Sequence, residues 1–146
     1  MQGTMKNTFL ATMLAIFLLI GCSPNDNMES FFSFPDGQWK RFDNPIIEID
    51  IAKPGIFYDM YLEINYDPEI AKEPIPMTVI MSTPSGEIRS RNIRLVPGTA
   101  EGKLRIILRK DFAFSEQGVC SFEIENRSQN IETPGIKNLG IVMERR

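Results

Sequence analysis

Histidine is absent from the 146 residues, and that absence closes off much of enzyme chemistry. A Ser/His/Asp triad, a Cys/His dyad and any His-ligated zinc or haem all need an imidazole. Acid–base work would then fall to carboxylates, as in a glycoside hydrolase, where two of them flank the scissile bond. The candidates Glu48, Asp50, Asp59, Glu63, Glu123 and Glu125 alternate with apolar neighbours, which places each on the polar side of a strand and marks no two as partners. Asn25-Asp26-Asn27 and Asp67-Pro68-Glu69 lack the repeated oxygen-ligand spacing of a calcium loop, and there is no glycine-rich phosphate loop. The expectation is a non-enzymatic protein with no catalytic residue, no metal and no cofactor.

The remaining reactive groups are two thiols, Cys22 and Cys120. Cys120 alternates with Phe122 and Ile124, which predicts a buried, unreactive side chain. Cys22 follows a targeting segment: Lys6 supplies a positive start and Phe9 to Ile20 is apolar except for Thr12. As a helix those twelve residues cover about 18 Å, short of the ~30 Å hydrocarbon layer. Positions 1 to 21 are therefore read as a signal peptide. Met5-Lys6-Asn7 is the more usual kind of start, so translation from Met5 rather than Met1 fits the same segment. Its end, Leu19-Ile20-Gly21-Cys22, resembles the lipobox of bacterial lipoproteins, which implies acylation of Cys22, with palmitate among the expected lipids. One acyl chain binds a bilayer only marginally and two or more anchor it stably, so no transmembrane helix is needed. With Cys22 lipidated, Cys120 has no disulfide partner.

Two further clusters suggest binding. Arg89, Arg91, Lys103, Arg105 and Arg109 would share one face if the strands carrying them formed a hairpin, giving a basic patch able to meet anionic headgroups or an acidic partner. The net charge of −3 gives no argument for nucleic acid. Trp39, the only indole, and Tyr61, on the polar side of its strand, are candidates for stacking a sugar, which makes a lipid-anchored glycan-binding module the alternative function.

These residues need a scaffold, and the sequence predicts an all-β one. Removing 21 of 146 residues leaves 125, the size of one domain. Those 125 hold 17 Ile against 5 Leu and 4 Ala, a balance that favours strands. Ser23 to Ser30 is polar, contains Pro24 and lacks periodicity, so residues 22–30 are expected to be a flexible tether and 31–146 the domain. Period-two alternation marks strands at Ile47 to Ile51, Tyr58 to Tyr66, Met77 to Met81, Glu87 to Leu95, Leu104 to Leu108, Cys120 to Ile124 and Leu139 to Met143, with a weaker one at Gln38 to Phe42. Ile88 is out of phase with Ile93 and Leu95, which predicts a bulge near Asn92. Seven to eight short strands with one apolar face each predict an antiparallel two-sheet β-sandwich of immunoglobulin-like or jelly-roll type.

The last third of the chain resembles a known family. Gly118-Val119-Cys120-Ser121-Phe122-Glu123-Ile124-Glu125, then Arg127, then Pro134-Gly135-Ile136-Lys137-Asn138-Leu139-Gly140-Ile141-Val142-Met143-Glu144, resembles the ending of the gliding-motility lipoproteins GldH of the Bacteroidetes. Trp39 ahead of Ile46 to Ile51, the total length and the lipobox also suit that family. The resemblance implies an outer-membrane-anchored component of the envelope machinery that supports gliding motility and associated protein secretion. Relatives occur in non-gliding bacteria, so location and fold carry over more directly than motility. The implied partners are the membrane, through the N-terminal lipid, and other envelope proteins. Ser23 after Cys22 is compatible with outer-membrane sorting. No catalytic residue carries over, only Cys22 as the lipid site.

Overall fold

The computed structural model describes residues 27–146; the expected signal peptide, Cys22 and the first part of the expected tether lie outside the described residues. The described chain is all-β. Ten strands form in chain order: β1 Met28–Ser33, β2 Gln38–Lys40, β3 Ile46–Ile51, β4 Phe57–Tyr66, β5 Ile75–Ser82, β6 Ile88–Leu95, β7 Lys103–Ala113, β8 Gly118–Asn126, β9 Glu132–Pro134 and β10 Ile136–Arg145. All paired strands run antiparallel, in a four-stranded sheet β1-β10-β4-β7, a second of order β3-β8-β5-β6, and a two-stranded ribbon β2-β9.

The alternation seen in the sequence maps onto burial. In β3, Ile47, Ile49 and Ile51 are buried while Glu48 and Asp50 are exposed. In β4 the buried apolar set is Tyr58, Met60, Leu62, Ile64 and Tyr66, and in β8 it is Cys120, Phe122 and Ile124. One hydrophobic cluster takes side chains from both four-stranded sheets, with Leu139, Ile141 and Met143 joining from β10 and Met77, Val79 and Met81 from β5. A period-two strand has one apolar face, and a core drawn from both sheets is how those faces leave water.

Ten strands in three sheets replace the seven or eight strands in two sheets that the alternation predicts. The extra strands carry little alternating apolar signal. β9 has three residues, Glu-Thr-Pro, and is held to β2 by backbone pairing. β1 begins at Met28, inside the span expected to be tether, and zips along β10 from Met28↔Met143 to Ser33↔Asn138. A strand without period-two alternation can form wherever a neighbouring edge supplies hydrogen bonds.

The bulge expected near Asn92 is absent: β6 pairs with β5 without interruption from Ile88↔Ser82 to Leu95↔Ile75. Ile88 is out of phase because it points to solvent, 70% exposed. Nor do β6 and β7 form a hairpin. β6 ends one sheet and β7 ends the other, and residues 96–102 carry the chain between them. Irregularity falls instead on β7, whose pairing with β4 shifts between Tyr61 and Met60 and again between Met60 and Tyr58.

Candidate functional site

The absence of a hairpin redistributes the five cations. Lys103 and Arg105 lie opposite Asn65 and Glu63 on the outer face of the first sheet. There Glu63, only 5% exposed, receives Lys103 Nζ at 3.0 Å and Arg105 Nη2 at 3.1 Å. Arg105 also reaches Glu144 at 2.7 Å and lies over the Tyr61 ring at 5.0 Å. Its pKa is raised, first by the hydrogen bond to Glu144, with burial opposing and Glu63 adding to the rise. These two cations are engaged within the protein.

Arg89, Arg91 and Arg109 sit elsewhere, along the seam where the free edges of the two sheets approach. Directly paired residues of neighbouring strands share a face. Arg89 lies opposite Met81 and Arg91 opposite Val79, both buried, so the two arginines leave β6 on its core-facing side. On β7, the shift between Tyr61↔Ile107 and Met60↔Arg109 inserts a residue and reverses the alternation. Arg109, odd-numbered like Lys103 and Arg105, thereby shares a face with buried Met60. Arginine tolerates such a position at a sheet edge because its stem covers apolar surface while the guanidinium reaches water.

The seam is bridged from both sides. Arg91 Nη1 donates to the carbonyls of Ile107 and Leu108, each at 2.6 Å, at the bulge itself. The Phe112 ring of β7 carries Arg89 at 5.3 Å and Arg109 at 5.1 Å. Between the bridges lies a cavity of about 180 Å³, floored by Met60, Val79, Met81 and Phe122 and rimmed by the three arginines. Arg89 is paired with Glu87, whereas neither Arg91 nor Arg109 makes an ion pair among the described residues. Apolar floor and cationic rim together can take an anion with an apolar body.

The other candidates are placed differently. Trp39 is 0% exposed, packs against Phe34 with ring centroids 5.7 Å apart and donates its indole N–H to the Asp43 carbonyl at 2.8 Å, so it offers no face to a sugar. Tyr61, already under Arg105, stands on a different sheet from Trp39 and the pair does not converge. A lone tryptophan in a small β domain fills its core. Cys120 is fully buried, and burial pushes its thiol up to about 12. Asp59 accepts the Asp111 amide at 3.0 Å and lies 3.5 Å from Arg146. No group of three acidic or cysteine side chains suited to a metal ion occurs among the described residues. Cys22 lies outside them.

Sequence reasoning missed the floor of the seam, reading Met60, Val79, Met81 and Phe122 as core alone. The usable signal was Arg89 and Arg91 sharing parity with Ile93 and Leu95.

No family model matches the chain, and no curated protein matches it. Among solved structures, an arabinose-bound GH51 α-L-arabinofuranosidase is similar over 82% of this chain and 22% of its own length, at 10% identity and a TM-score of 0.40.

Proposed function

We propose that this protein is a lipid-anchored, non-enzymatic component of the cell envelope, held at the outer membrane through Cys22. In this reading its domain is a β-sandwich of immunoglobulin-like or jelly-roll type that docks on anionic envelope partners, in the manner of the GldH lipoproteins of gliding motility and secretion. The lipobox Leu19-Ile20-Gly21-Cys22 supports the anchor, and the Gly118 to Glu144 segment supports the family likeness.

The observation that carries the docking role is the arginine-rimmed seam. Guanidinium groups stay protonated at physiological pH, so three of them around one cleft bind and orient an anion rather than shuttle protons. The anchor is tested by Cys22→Ala: palmitate labelling is lost, the protein leaves the membrane fraction and the uncleaved precursor accumulates, whereas a variant that still takes up labelled palmitate overturns it. Docking is tested by crosslinking in native membranes followed by pull-down. The expected result is a discrete envelope-protein partner that Arg91→Glu loses, and capture unaffected by that substitution overturns the reading.

A further inference from the structure

The seam is more than a charged surface, because its arginines stand over a hole. We propose that it is a binding pocket for an anionic amphiphile, an acyl chain with a carboxylate or phosphate head, with the methylenes next to the head between the sheets and the head under Arg91 and Arg109. The proposal rests on the reading of the seam as an anion-binding site and names its ligand class.

Three observations favour this occupant. The floor is made of two methionines, a valine and a phenylalanine with no polar side chain among them, so it suits methylenes, while the polar residues of the lining are Ser90 and the three arginines. Met60 and Met81 are unbranched and adaptable, the side chains that conform to a flexible chain. At about 180 Å³ the cavity is little larger than the ~150 Å³ hole that holds one benzene, so it takes a few methylenes of one chain and leaves the head at the rim.

The rim complements that geometry. Arg91 spends Nη1 on the carbonyls of Ile107 and Leu108, which fixes the guanidinium across the opening and leaves Nη2 and Nε for a ligand. Arg109 rests on Phe112 and has no acidic partner among the described residues. Two guanidiniums held by neutral groups keep their charge uncompensated, and carboxylate or phosphate is the group their planar donors match. A peptide strand docking on β6 or β7 would meet arginines along one edge and a bulge on the other, features that discourage strand addition.

The test places the full chain in neutral phosphatidylcholine vesicles doped with a photoreactive palmitate, a phosphatidic acid bearing the same photoreactive chain, or a phosphatidylcholine bearing it, and maps labelled residues by mass spectrometry. Label concentrated on Met60, Met81 and Leu108 with palmitate identifies a free fatty acid; the same pattern with phosphatidic acid alone identifies an anionic phospholipid. Either supports the proposal if phosphatidylcholine labels those residues at least tenfold less. Arg109→Glu, an exposed position, should cut the labelling at least tenfold with an unchanged circular dichroism spectrum, and Arg91→Glu should do the same. Unlabelled carboxylates should compete about fourfold better per added methylene until the pocket is full. Label spread over the surface, or indifferent to head charge and to both substitutions, overturns the pocket. If Arg91-dependent crosslinks to an envelope protein persist in that case, the docking role stands without it; if they vanish too, both readings fall.

Discussion

The Tyr66 hydroxyl, at the end of β4, encloses Thr99: it accepts the Thr99 amide at 3.0 Å and lies 2.8 Å from the Thr99 hydroxyl. It also accepts the Gly98 amide at 3.2 Å. Residues 96–102 are the crossing from one sheet to the other, so one buried phenol fixes how the edges carrying the seam are joined. Tyr66→Phe leaves two amides without their acceptor. The expected cost is about 1–3 kcal/mol in urea unfolding, with faster hydrogen exchange at Gly98 and Thr99; unchanged exchange there would show that the crossing holds without Tyr66.

Glu63 is the buried centre of the outer network on the first sheet, and its two cations are about half-exposed. Solvent screens such pairs, so Glu63→Gln should cost about 1–2 kcal/mol, less than a fully buried pair. The loss should shrink between 0.05 and about 1 M salt as screening removes the attraction already. Equal loss at both salt concentrations would assign Glu63 to packing rather than charge.

Cys120 gives a pH dependence with a definite sign. Its folded thiol is pushed from 9.0 up to about 12 by burial. Between those values the unfolded chain has released the proton and the folded chain has kept it, so stability falls as pH rises through that window, by about 1.4 kcal/mol per unit from this group. Cys120→Ala should flatten that alkaline slope, although it lowers stability at pH 7 by emptying a core position. Iodoacetamide should leave native Cys120 untouched at pH 8 and modify it in urea; rapid native alkylation would contradict its burial.

Gly140 faces Phe31 across the β1–β10 pair, and a Cβ at Gly140 would occupy the same space as the ring. Phe31 is 40% exposed and can swing away, so Gly140→Ala should loosen β1 without unfolding the rest. Exchange of the amides of residues 28–33 should quicken while β8 stays protected, with a stability loss of about 1 kcal/mol. Uniform loss of protection would show β1 to be integral to the core.

The strands that cross the core were legible because burial on one face writes a period of two into the sequence: Ile47-Ile49-Ile51 and Cys120-Phe122-Ile124 could be assigned a direction as well as a type. Edge and ribbon strands were not, since β1 and β9 are specified by the hydrogen bonds that Leu139 to Met143 and Gln38 to Lys40 offer them, and a partner leaves no mark on the residues it recruits. The basic site was half legible. Residue type picked out the arginines, but parity misassigned Arg109, because it lies between two shifts of the β7 pairing: the first reverses the alternation and the second, before Phe112↔Tyr58, restores it. Pairing order decided the rest: adjacency in sequence suggested that β6 and β7 were bonded neighbours, and the 96–102 crossing places them in different sheets.

Because the first ladder residue is Met28, the proposed anchor at Cys22 would give a leash of only about 20 Å even when stretched. On the proposed anchoring, such a body would ride close to the headgroups and could not search far for a partner. The strand that takes the leash lies beside the end of β10, where the Arg145 amide donates to Asn27 at 2.9 Å, so both ends of the described polypeptide sit at one pole. Tension on the anchor would therefore be delivered to the Met28–Met143 end of the ladder and peel β1 one pair at a time, a mechanical weak point that a single-molecule pulling geometry could address directly.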